Sequence, residues 1–118
     1  MLITSIPQYI QGLLNAKVDL TTTNLTTLFT VPTTADFNAA IVTSILVSED
    51  SGNADTITLT LTDSASAIFS LFKVKAVSAN TTVELLTAPM VLAESEKITA
   101  QAATANRLHV VVSYMEIS

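Results

Sequence analysis

Residues 55–62 run Asp-Thr-Ile-Thr-Leu-Thr-Leu-Thr. Aliphatic and threonine side chains alternate without a break. Ile57, Leu59 and Leu61 share one side, and Thr56, Thr58, Thr60 and Thr62 share the other. A period of two is the period of a β-strand, and both residue types favour the extended backbone. Wound into a helix, the same apolar groups would scatter around the axis. Ser51-Gly52-Asn53 ahead of the segment and Asp63-Ser64 behind it are turn formers. The segment predicts a half-buried strand with an uncharged outer side.

Strand patterns continue over most of the chain. Ala40–Ser48 is apolar on both faces, which predicts a central strand covered on its second face too. With Thr56–Thr62 it predicts an antiparallel hairpin across Glu49–Asn53. Ile68–Lys75 sets Phe69 and Leu71 inward and then Phe72 and Val74, a change of face that predicts a bulge or a twist. Thr81–Leu86 is a short strand cut off by Pro89, and Met90-Val91-Leu92 resumes after the break. Lys97–Ala102 alternates Ile98, Ala100 and Ala102 against Lys97, Thr99 and Gln101. In Arg107–Ile117, Leu108, Val110, Val112 and Tyr114 share one face; His109, Val111, Ser113 and Met115 share the other. Leu25–Val31 is a further strand, ended by Pro32. Short strands with turn residues between them predict an all-β fold over residues 25–118: an antiparallel β-sandwich, jelly-roll-like, with about eight strands.

Residues 1–24 read differently, as a short N-terminal arm or helix. Ile6, Tyr9, Ile10, Leu13 and Leu14 fall at the spacing of one helix face. Ser5 and Pro7 suit a helix start. Such an element either closes one end of the core or docks as an apolar arm on a neighbouring subunit. On the second reading Ile3, Ile6, Tyr9, Ile10, Leu13 and Leu14 are the candidate interface. No internal repeat and no linker divides the 118 residues.

Composition narrows the function. Charged residues are 13% of the chain, mean hydropathy is +0.54 and net charge is −5. That charge content is about half the usual share for a soluble domain. Either Thr, Ser and Asn do the solubilising, or neighbours in an assembly cover part of the surface. The basic residues Lys17, Lys73, Lys75, Lys97 and Arg107 are scattered, so no patch is built to neutralise phosphates and no nucleic-acid partner is expected. Lys73 and Lys75 read as one solvated face. No apolar run of about 18 residues spans a membrane, and no secretory leader pattern opens the chain. The chain is expected to stay in the cytoplasm where it is made, or to leave by another route such as lysis. It has no cysteine, which excludes disulfides and thiolate metal sites.

No catalytic set stands out, and no enzyme and no cofactor are expected. The lone histidine, His109, sits mid-strand without a nucleophile motif such as G-x-S-x-G and reads as a surface or packed residue. Glu49-Asp50 with Asp55, and Glu94 with Glu96, are carboxylates near turns. They lack the six or more convergent oxygens of a calcium site and read as solvated turn residues, not as a metal centre. Gly12 and Gly52 make no phosphate-cradling loop. With no Trp, and with Tyr9, Phe29, Phe37, Phe69, Phe72 and Tyr114 mostly inside strand patterns, no aromatic platform for sugar is visible.

The order of these segments carries a resemblance. Val42–Ser48, Asp50-Ser51-Gly52 and Asp55–Thr62 form a strand, a short polar turn and a Thr-rich strand. Asn80–Leu86, Pro89–Leu92 and Asn106–Ile117 follow, ending in Val-Val-Val-Ser-Tyr-Met-Glu-Ile-Ser. Residues 25–118 thereby resemble small structural proteins of tailed-bacteriophage virions, especially capsid decoration or cement proteins and related β-sandwich head or tail accessories. The resemblance implies a homo-oligomer, often a trimer, made in the host cytoplasm. It implies a place on the capsid exterior, where the protein bridges subunits of the major capsid protein. Proteins of this type often carry a Gly-Asp turn before the penultimate strand, where this chain has Ala93-Glu94-Ser95-Glu96-Lys97. A tail, neck or fibre-base component and a receptor- or glycan-binding module are the alternatives.

Overall fold

The computed structural model describes residues 10–32 and 39–117, which form nine strands and no helix. In chain order they are β1 (Ile10–Asp19), β2 (Thr26–Thr30), β3 (Ala39–Glu49), β4 (Asp55–Thr62), β5 (Ile68–Val77), β6 (Thr82–Glu84), β7 (Met90–Ala93), β8 (Lys97–Ala102) and β9 (Leu108–Ile117). The first sheet runs β1-β9-β3, with β6 and β7 both on the far side of β3. The second runs β2-β8-β4-β5. Every pairing is antiparallel.

The pairing is nested. β1 takes β9, β2 takes β8, β3 takes β6 and β7, and β4 takes β5. If β6 and β7 are counted as one interrupted strand, this is a long hairpin rolled into a jelly roll. The interruption has a local cause. Pro89 has no N–H for a ladder, and the Glu84 carboxylate instead accepts the Ile45 N–H at 2.8 Å. Leu85 N–H closes the gap by donating to the Ile45 carbonyl at 2.9 Å.

Rolling also overturns the expected β3–β4 hairpin. β3 lies in the first sheet and β4 in the second, so their apolar faces meet across the core instead of side by side. Val42, Ile45 and Val47 from β3 and Ile57 and Leu59 from β4 are fully buried. Ile98, Ala100 and Ala102 from β8 and Leu108, Val110 and Val112 from β9 point inward as their alternation predicts. Phe29 and Tyr114 join the layers, with ring centroids 4.0 Å apart.

The N-terminal helix is also corrected. Ile10–Asp19 is strand β1, paired with β9 from Ile10↔Ile117 to Asp19↔His109. A five-position helical spacing is a weak preference, and the open backbone edge of β9 outweighs it. Leu20 follows, almost fully buried, bonded through its N–H to Leu108 and through its carbonyl to Asn106. Residues ahead of position 25 therefore help build the sandwich. In β5 Phe72 and Val77 pack against the core, whereas Phe69, Leu71 and Val74 are exposed. The expected bulge is there, as two register shifts against β4. The glycine-free turn before β8 closes with Ser95 at φ 68° in the left-handed region, while the Glu96 carboxylate accepts the Ala93 N–H at 2.7 Å.

Candidate interaction surface

The outward side of the first sheet is apolar over half its length. Register sets Leu13 opposite Met115, Met115 opposite Ile41, and Ile41 opposite Val91. Directly paired residues share a face. Ala40 and Val42, on either side of Ile41, are fully buried, so this row points away from the core. Leu13 is 80% exposed and Val91 66%; Ile41 and Met115 between them are half-buried. β3 is central as expected, but nothing in the described residues covers its second face. Farther along, Lys17, Val111, Leu46 and Glu84 form a parallel outward row. Beyond it come Asp19, His109, Ser48 and Thr82. The outer face thus passes from apolar to charged along the strand direction.

A second apolar stretch lies on the free edge of β5. Ile68 is 61% exposed, Phe69 54% and Leu71 36%. The rest of that edge is guarded in the usual ways, by Lys73, Lys75 and a bulge. At the bulge Val74 sits at φ 53°, a costly conformation for a β-branched residue, and its N–H donates to Thr58 Oγ1 at 3.1 Å. The outer face of the second sheet is instead threonine-covered. Thr60 and Thr99 bond to each other through their hydroxyls and are buried among their neighbours.

The titratable groups hold the fold at its corners. Glu49 and Asp55, expected as solvated turn residues, are buried. Burial pushes the Glu49 carboxyl up, but the Ser51 hydroxyl and the N–H groups of Ser51, Asn80 and Gly52 outweigh it and bring the pKa down to about 2. Those N–H donors lie 2.8, 3.2 and 3.1 Å away. Asp55 accepts the N–H of Thr56 at 2.8 Å and of Thr104 at 3.2 Å. The sequence signal was present: a carboxylate before a Ser-Gly turn is a turn-capping pattern. Burial of the Glu84 carboxyl opposes its charge, yet donors from Ser44, Ile45, Leu86 and Leu85 hold its pKa below the usual value.

His109 lies between two carboxylates, Nδ1 against Asp19 and Nε2 at 3.1 Å from Asp50 Oδ1. Its hydrogen bond with Asp19 raises its pKa, burial opposes that, and the charge of Asp50 adds to the rise. Among the described residues no group of three or more His, Cys, Asp or Glu is placed to hold a metal ion. A recess of about 290 Å³ on the second sheet is lined by Thr23, Thr56, Thr58, Val74, Gln101, Ala102 and Ala103, none of them aromatic.

Of the sequence-predicted interface, Leu13 and Leu14 are exposed on β1, and Ile10 begins that strand. Ile3, Ile6 and Tyr9 lie outside the described residues. Being adjacent in a strand, Leu13 and Leu14 point to opposite faces and do not form one stripe. Ile41, Val91 and Met115, which complete the apolar row, come from three separate segments, and only strand pairing aligns them.

No protein-family model matches the chain, and no curated protein matches it in sequence. Solved structures match it in fold. One is a chain of the infectious bursal disease virus particle, with a TM-score of 0.55 at 10% identity over 90% of this chain and 30% of that one. Another is the VP2 protein of infectious bursal disease virus in its derived particles, with a TM-score of 0.51 at 8% identity over 90% of this chain and 31% of that one. The chain therefore spans less than a third of the length of these structures. At such identity the likeness is one of fold.

Proposed function

We propose that the chain is a structural subunit of a virion and not an enzyme. In its finer form it is a decoration or cement protein on the outside of a tailed-phage capsid, bridging subunits of the major capsid protein. The observation that carries this reading is the outward row Leu13–Met115–Ile41–Val91, with the apolar edge Ile68–Leu71 as a second surface. Isolated exposed leucines are ordinary, but a row continuous across four strands is a contact surface. The fold shared with proteins of a virus particle supports the reading, as does the low charge of the chain. A bridging protein needs two surfaces, one for its own copies and one for the shell. Its mechanism is linkage: a ligand that binds only the assembled shell stabilises that shell in proportion to RT ln(1 + [L]/Kd).

Sedimentation of the purified chain with empty shells of its cognate major capsid protein tests this. The chain is expected to pellet with expanded shells, at a copy number that scales with the shell, and to raise their melting temperature. A chain left in the supernatant, or present at a ring-sized copy number, sinks the decoration reading in favour of a tail or neck component.

A further inference from the structure

We propose that the outward face of the first sheet is closed by a second copy of the chain, packed face to face about a twofold axis parallel to the strands. The inference rests on the reading that this face is an assembly surface, and it names the occupant.

The face is self-complementary. In the row Lys17–Val111–Leu46–Glu84, the cation stands on one edge of the sheet, the carboxylate on the other, and two aliphatic residues lie between. Lys17 and Glu84 are three strand spacings apart, about 14 Å, and make no ion pair with each other or with any other described residue. A twofold axis along the strands reverses the strand order and keeps the height. It therefore sets Lys17 of each copy over the position of Glu84 on the other, twice, where the carboxylate held by Ser44 and the Ile45 N–H supplies the negative charge. The same operation sets Leu13 over Val91 and Met115 over Ile41, so the apolar row meets itself. In the next row Asp19 faces Thr82 and His109 faces Ser48, with no like charges opposed. Sheets in sandwiches pack this way, about 10 Å apart and nearly aligned. An axis perpendicular to the sheets would stack nothing, and one across the strands would place the apolar row over the charged one. The edge Ile68–Leu71 lies on the other sheet and stays free for the shell.

Cysteine cross-linking tests the geometry in the full chain, which contains no cysteine of its own. Leu13 and Val91 are exposed, so Leu13→Cys and Val91→Cys should leave the fold intact, as checked by far-UV circular dichroism. Within one copy the two sites lie about 14 Å apart, and across the proposed pair about 10 Å. Both separations are beyond a disulfide, whose Cα atoms must approach within about 7 Å, so a short bismaleimide supplies the link. With that cross-linker the double variant is expected to give a covalent dimer and no ladder, and each single variant, whose like sites stand on opposite edges of the pair, to stay uncross-linked. A ladder beyond the dimer, dimers from a single variant, or no cross-linking in the double variant each overturn the pair. By sedimentation equilibrium the native chain is expected to be a dimer or a multiple of it, and Lys17→Glu to weaken that association about tenfold. A native monomer or trimer that still coats shells overturns the pair and leaves the virion reading standing. A dimer that ignores shells does the reverse.

Discussion

His109 Nε2 lies 3.1 Å from Asp50 Oδ1 while Nδ1 faces Asp19, so one imidazole ties β9 to β1 and to the corner after β3. With a carboxylate at each ring nitrogen, the doubly protonated form satisfies both contacts and the neutral form only one.

The pH dependence follows from that placement. The folded pKa of His109 is raised above its ordinary 6.5. The protonated clamp therefore contributes fully below pH 6.5, and its contribution is lost as pH rises through the folded value. The side chains of His109, Asp19 and Asp50 are 42%, 67% and 73% exposed, so solvent screening holds the effect below about 1 kcal/mol. Thermal melts from pH 6 to 9 are expected to show a small fall in Tm, flattened in His109→Gln. A rise in Tm over that range would sink the assignment.

Glu49 acts in the opposite sense. Its folded pKa of about 2 lies below the ordinary 4.5. Its contribution is present above pH 4.5 and drains away as pH falls toward 2. Glu49→Gln keeps the shape but gives up charge-assisted bonds to Ser51, Gly52 and Asn80. Urea midpoints at pH 7 and pH 3 are expected to show the variant clearly weaker at pH 7, with the gap narrowing at pH 3.

The Thr60–Thr99 pair predicts a non-additive cycle. Thr60→Val leaves the buried Thr99 hydroxyl without its partner, at a cost of about 1–3 kcal/mol. Adding Thr99→Val removes the orphan, and the double variant should recover much of the loss. Additive losses in denaturant titrations would mean that the hydroxyls do not depend on each other.

Core and surface leucines should separate cleanly. Leu59→Ala removes a fully buried side chain and is expected to cost about 2–5 kcal/mol. Leu13→Ala, at a site 80% exposed, should change folding stability by less than about 0.5 kcal/mol yet weaken self-association. A large folding loss in Leu13→Ala would make that residue core.

Val74 offers a gain. Its φ of 53° costs a non-glycine residue about 1–2 kcal/mol, and the side chain is 60% exposed. Val74→Gly should raise the urea midpoint slightly, since relief of that strain exceeds the entropy cost of glycine, about 0.5–1 kcal/mol.

The amino-acid sequence by itself determined the strands whose alternation is clean. Asp55–Thr62, Lys97–Ala102 and Leu108–Ile117 lie where their periodicity puts them, with Ile57, Leu59, Ile98 and Val110 inward. It also determined the scarcity of charge, because composition needs no geometry. Tertiary structure alone decided which strands are neighbours. The turn Glu49–Asn53 looks the same whether it joins two strands of one sheet or crosses between sheets, and the nested roll chose the crossing. It alone turned Ile10–Leu14 from a helical stripe into an edge strand, because the partner that made the difference, β9, lies about a hundred residues away in sequence. For the same reason the row Leu13–Met115–Ile41–Val91 could not be read along the chain. Side-chain period assigns a residue to a face, but only backbone hydrogen bonding between distant segments sets which residues on that face stand side by side.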